Sequence, residues 1–225
     1  MKITYQFEMA DRARHEFAVD LERPDQPPAS ATLPAWTKLE YHQCPNCPLK
    51  PAQSPRCPAA ADLAAPMTAF AKIVSYERAH VTVTTDERTY SKDCQVQQAL
   101  SSLVALIMAT SGCPILGRMR GLARTHLPFA TMDETLFRSV GAYLVQQLLV
   151  HKKGGVPDWN LNGLLAHYND LDALNRAFKT RITEAAVQDS TLNAVATLGM
   201  LSMGVSLSIE DRLDELAQFA VSLDR

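Results

Sequence analysis

The sequence predicts an α+β fold: a small N-terminal antiparallel sheet with one or two helices, then a C-terminal bundle of about five helices. Three observations carry this expectation. Residues 2–8 and 14–21 alternate apolar and polar side chains, as half-buried strands do. Beyond Cys94, apolar residues recur every three or four positions, as one face of a helix requires. The two patterns occupy separate stretches, which argues against a βαβ arrangement. A β-rich part with a cysteine-containing loop, residues 1–93, thus precedes a helical part, residues 94–225. One continuous domain can also accommodate both.

The first two strands read as a hairpin around Ala10-Asp11-Arg12. Residues 22–34 hold four prolines and form a loop. Residues 36–42 alternate and suggest a third strand. Five prolines between Pro45 and Pro58 forbid a regular helix or a central strand there. Residues 59–76 are helix-like, with Leu63, Met67, Phe70, Ile73 and Val74 on one side and Pro66 as a break. Residues 80–85 and 88–91 predict a second hairpin.

In the helical part, Val96, Leu100, Leu103, Val104, Ile107 and Met108 define a helix that Gly112 stops. A short helical stretch follows over residues 115–122. Thr131 with Glu134 forms a capping box for the next helix, which Gly154-Gly155 ends. Leu161, Leu164, Tyr168, Leu171, Asn175, Phe178 and Ile182 give a further helix, with Asn175 as a polar group on its apolar seam. Asp189 caps an uncharged helix through Met203. Ser208 with Asp211 caps the last one.

A chain of 225 residues, 47% apolar and 20% charged, can bury a substantial core. A net charge of −2 gives no general attraction to nucleic acid or anionic membrane. The N-terminus turns charged before any signal-peptide apolar region develops. Residues 94–117 carry no charge, but only about a dozen are strongly apolar, too few to span a bilayer. An odd number of cysteines, five, without a secretion signal fits a reducing, cytoplasmic setting. Clustered cysteines there bind metal or do chemistry more often than they form disulfides.

Three of those five cysteines, with a histidine, lie within sixteen residues: His42, Cys44, Cys47 and Cys57. Zinc accepts such a Cys3His set in a tetrahedron. Cys44-x-x-Cys47 lets two thiolates reach one ion from a tight turn, and Pro45 and Pro48 stiffen it. His42 shares a face with Cys44 if the preceding strand continues. The competing core reading is free, partly buried thiols in a proline loop. An iron–sulfur cluster prefers four thiolates, and would need Cys113 or Cys94 as the fourth. Cys44-Pro45-Asn46-Cys47 also resembles the C-P-x-C motif of glutaredoxins and of thioredoxin-fold thiol oxidases. The helix that such a motif opens is blocked here by Pro48, Pro51, Pro55 and Pro58.

Cys113, followed by Pro114, stands where a helix would start, a position that stabilises a thiolate. Arg118, Arg120, Arg124 and His126 follow closely. This makes Cys113, with His126, the candidate for a reactive thiol site. The plainer reading is a small buried residue at a helix corner. Cys94 has no such surroundings and reads as core or surface. Asp170 and Asp172 read as solvent-facing. The chain has no P-loop, no G-x-G-x-x-G, no G-x-S-x-G and no H-E-x-x-H.

The segments H-x-C-P-x-C-P-L (42–49), T-Y-S-K (89–92), A-L-S-S-L-x-x-L-I-M-A-T-S-G-C-P (99–114) and H-L-P-F-A (126–130) resemble a bacterial family of uncharacterised proteins, a domain of unknown function. The resemblance covers most of the chain and implies no activity or site residue. The expected function is a metal-binding component, with Zn2+ the expected ion, acting in binding or regulation with a protein or small-molecule partner. A thiol-based redox or transfer enzyme, using Cys113 or the Cys44/Cys47 pair, and an iron–sulfur protein are the alternatives. The uncharged 190–208 stretch and the apolar last helix suit a core or a subunit interface equally, so a homo-oligomer is also compatible.

Overall fold

The computed structural model describes residues 1–23, 33–185 and 214–219. The expected helix from Asp189 to Met203 lies outside the described residues, as does the expected cap at Ser208 and Asp211. Within the final expected helix, Asp214–Phe219 forms a 3-10 turn.

The two predicted hairpins assemble into one four-stranded antiparallel sheet. Strands β1 (Lys2–Met9) and β2 (Arg14–Asp20) form the first hairpin, and β3 (Arg78–Thr84) and β4 (Thr89–Gln95) the second. The spatial order is β2-β1-β3-β4. Alternation places Ile3, Tyr5, Phe7 and Met9 of β1 on the same face as Ala79, Val81 and Val83 of β3, all buried. Register agrees, with Tyr5 opposite Val83 and Phe7 opposite Val81. The partner face of β1 carries Lys2, Gln6 and Glu8 in solvent.

Helices cover the buried face. Helix α1 (Pro58–Ala69) starts with Pro58 at its first position, where a missing N–H costs nothing. Pro66, inside α1, forgoes the bond to the Asp62 carbonyl, and the helix ends at Ala69 rather than near Tyr76. Helix α2 (Val96–Thr110) runs directly out of β4 and is buried over most of its length. Its Val96, Leu100, Leu103 and Val104 are fully inaccessible. A 3-10 turn (Leu116–Met119) and the one-turn α3 (Arg120–Ala123) replace the single short helix expected over 115–122.

The long helices α4 (Met132–Lys152) and α5 (Asn162–Glu184) complete the bundle. The capping box at α4 is present: Thr131 Oγ1 accepts from the Glu134 amide at 3.2 Å, and Glu134 Oε2 accepts from the Thr131 amide at 2.7 Å. Apolar residues from the sheet and from all five helices join one contiguous core. Among the described residues, no helix is long and apolar enough to cross a membrane.

One element departs from expectation. Residues 36–42 are not a strand. Ala35–Thr37 is a 3-10 turn, and only Lys38 makes an isolated antiparallel bridge, to Arg56. Trp36, Thr37 and Leu39 are buried, while Lys38 and Glu40 between and after them are exposed. The alternation that suggested a strand reflects a loop packed on one side.

Candidate functional site

The Pro-rich loop is held in place before any ligand is considered. The Cys57 amide donates to Thr37 O at 2.8 Å, the Leu39 amide to Pro55 O at 3.1 Å, and the Cys47 amide to Cys44 O at 3.0 Å. The last bond closes the Cys44–Cys47 turn. Helix α5 then forms the floor. Asn46 donates to Asp170 O at 3.0 Å, and the Cys44 thiol faces Leu174 O at 3.9 Å. Asp170, Leu174, Phe178 and Arg181 recur at helical spacing and form one dock for the loop.

Arg181 is the deepest member of that dock, at 1% exposure. Its guanidinium donates to the carbonyls of Trp36, Lys38 and Leu39 at 2.6, 2.7 and 3.1 Å. Its ring-like plane lies 6.0 Å from the centre of Tyr41. Among the described residues no carboxylate pairs with it. The titratable groups that face it are the Cys57, Cys44 and Cys47 thiols and the Tyr41 hydroxyl.

Four cysteines meet here. Cys44, Cys47, Cys57 and Cys113 line one small apolar cavity, walled also by Leu39, Leu174 and Phe178. Its room is about 20 Å³, near the space for one water molecule. Burial first, then the neighbouring Cys57, Cys113 and Cys47, push the Cys44 thiol up to about 12, with Arg181 opposing. Burial also pushes up Cys57, against Arg181 and the amides of Ala60 and Ala59. Cys113 rises by burial too, against the amides of Leu116 and Ile115. Cys57 is the N-cap residue of α1, without a side-chain cap hydrogen bond, and Cys113 lies just before the 3-10 turn.

The structure therefore brings together three of the four cluster residues expected from sequence and adds Cys113. It does not bring His42 to them. His42 is exposed, has φ of 46°, and packs its ring edge-on against Tyr41. With no continuing strand, the alternation that aligned it with Cys44 does not apply. Cys94 is buried in β4, opposite Ala79. All five thiols are free. As the side chains stand, no group of three or more His, Cys, Asp or Glu among the described residues is set to hold a metal ion. A cysteine χ1 rotation moves its sulfur by about 3 Å, and Cys44 and Cys47 are only half-buried.

Cys113 and His126 do not share a pocket. His126 lines a separate cleft of about 700 Å³ between α2, α3, α4 and α5. Its Nε2 shares a hydrogen bond with the Tyr5 hydroxyl at 2.6 Å, and that hydroxyl also meets Ser102 Oγ at 2.8 Å. Burial, and secondarily Arg138, lower the His126 pKa to about 4, so the ring is neutral at pH 7. Burial drives the Tyr5 hydroxyl upward.

Sequence reasoning missed Arg181, Arg138 and the Asn46–Asp170 contact. Arg181 had a signal: it falls between Phe178 and Ile182 on the apolar seam of α5. Asp170 lies beside that seam, and also accepts from Arg118 Nη1 at 3.2 Å.

A family model described as Domain of unknown function (DUF6901) matches residues 3–220, and the chain belongs to that family. No curated protein and no solved structure matches it.

Proposed function

We propose that this member of the DUF6901 family is a zinc-stapled binding protein, in which Cys44, Cys47, Cys57 and Cys113 hold one structural Zn2+. The observation that carries the reading is the position of Cys113. It comes from the turn after α2, far along the chain, yet lines the same cavity as the three loop cysteines. Zinc with four thiolates carries a net charge of about −2, and Arg181 is a buried cation beside them with no carboxylate of its own among the described residues. The ion would tie the Pro-rich loop to the start of α1 and to the α2–α3 corner.

The donor set also suits an iron–sulfur cluster. Room for about one water molecule favours a single ion over a multi-atom cluster. Thiol catalysis is less well supported. A reactive thiol needs a lowered pKa and access, whereas Cys44 and Cys113 are both raised, and Cys113 is buried.

Elemental analysis and visible spectra of protein purified without oxygen test this. The expected result is about one zinc per chain, lost in Cys44→Ser and Cys113→Ser and kept in His42→Ala and Cys94→Ser. Iron with visible absorbance selects the cluster. Metal-free wild type that takes up neither ion on reconstitution overturns the reading. So does zinc that survives Cys113→Ser but not His42→Ala.

A further inference from the structure

The cleft beside His126 has no part in the thiol cluster, apart from the shared wall residue Leu116. Its room, about 700 Å³, is the scale of a small-molecule pocket. The cause is visible in α2. Ser101, Ser102, Ala105 and Ala109 put small side chains along the wall, while Leu100, Leu103 and Val104 fill the sheet side of the same helix. The rest of the lining is largely apolar, with Met119, Leu122 and Phe129 among it.

Among the described residues, one cation lines this apolar space, Arg138 of α4. Its Nη2 donates to the carbonyls of Leu122 and Thr125 at 3.0 and 2.7 Å, which fixes the side chain. Its Nε is sealed from solvent and, among the described residues, has no hydrogen-bond partner. Among the described residues no carboxylate forms an ion pair with it. Glu134, one turn earlier, is engaged in the capping box. His126 flanks it and is held in place by Tyr5.

We infer that the cleft binds an amphiphile with one carboxylate, its head on Arg138 beside His126 and its alkyl body along the small-residue face of α2. Arg138 is a cation on the wall of an apolar cleft with no ion-pair partner among the described residues, and a carboxylate supplies the opposite charge. The apolar body replaces water along the Ala105 and Ala109 wall. A cationic amphiphile would meet Arg138 as a like charge, and an alcohol would bring an acceptor without the opposite charge.

Titration calorimetry with decanoate, decanol and decylamine on the full chain is the test. Decanoate should bind at least about tenfold tighter than decanol, as a charge-assisted hydrogen bond is worth that much, and decylamine should not bind. Arg138→Met should erase the preference for decanoate over decanol while decanol binding persists. Ala105→Trp should abolish both, and Ala109→Leu, a smaller filling, should weaken both, with thermal melts showing which variants fold. The His126 ring resonances should titrate at higher pH when decanoate is bound, a shift that a merely structural arginine would not produce. Equal binding of decanoate and decanol, no binding of decanoate to wild type, or binding indifferent to Ala105→Trp and Ala109→Leu in folded protein overturns the proposal. These variants should leave zinc content unchanged, so this test and that of the thiol cluster fail separately.

Discussion

Arg181 donates a 2.6 Å hydrogen bond to the carbonyl of Trp36, across most of the length of the chain. The same guanidinium satisfies Lys38 and Leu39. One buried cation thus replaces the sheet neighbours that a strand at 36–42 would have had, and it holds this segment as a loop. A planar fork can serve three carbonyls at once.

Arg181→Met should therefore destabilise the fold by about 3 kcal/mol, the cost of orphaning buried carbonyls bonded to a charged group. Arg181→Lys should recover less than half of that, since an ammonium is a point donor. Urea unfolding followed by circular dichroism measures both. A loss under about 1 kcal/mol for the methionine variant would show that the loop is held by its own contacts.

Thiol reactivity should follow burial. With Cys44 held up to about 12 and Cys57 and Cys113 also raised, these three thiols of metal-free native protein should react slowly with Ellman's reagent at pH 7. The rate at Cys44 should still be climbing at pH 10, because the reactive thiolate is still increasing there. Mass mapping of the modified residue identifies the site. A plateau at Cys44 below pH 8 would contradict this electrostatic picture. Because bound metal needs thiolates, zinc uptake should release protons and weaken as pH falls.

His126 should make the fold acid-sensitive in a defined window. Its folded pKa, about 4, lies below the ordinary 6.5. The unfolded chain therefore takes up a proton before the folded chain does. The stability this contributes is complete above about pH 6.5 and is lost as pH falls toward 4. The loss is on the order of 2 kcal/mol once the ring's partial contact with the cleft is allowed for. His126→Gln should flatten this part of the pH profile while keeping a partner for Tyr5. Urea midpoints at pH 7 and pH 4.5 for both proteins decide it, and an unchanged slope in the variant would assign the acid sensitivity elsewhere.

Thr131→Ala should remove the capping box of α4 and cost about 1 kcal/mol. Thr131→Ser, which keeps the hydroxyl, should cost a few tenths at most. Thermal melts of the two variants separate the lost hydrogen bond from the lost methyl group. Equal loss in both would place the contribution in the methyl.

The strands and helices were readable because each carries its own period. Ile3, Tyr5, Phe7 and Met9 alternate because one sheet face is buried. Thr131 and Glu134 announce a helix start because the reciprocal bonds need only four consecutive residues. Residues 36–42 misled because Thr37 and Leu39 are buried while Lys38 and Glu40 are exposed, a period of two that a loop packed on one side also produces. The thiol cluster was half legible. Cys44, Cys47 and Cys57 lie close in sequence, but Cys113 joins them only through the way α2 returns its C-terminal end to the loop. His42 looked suitable by spacing alone, and spacing carries no information once the strand is absent. The cleft left no local signal, since small residues on α2 read simply as good helix formers.

Helix α2 has two faces with opposite obligations. Leu100, Leu103 and Val104 are locked in volume by the sheet beneath them, whereas Ser101, Ser102, Ala105 and Ala109 border open space. Drift at the second set changes the capacity of the cleft without disturbing the strands. One helix thus separates what holds the sheet together from what sets the room in the cleft.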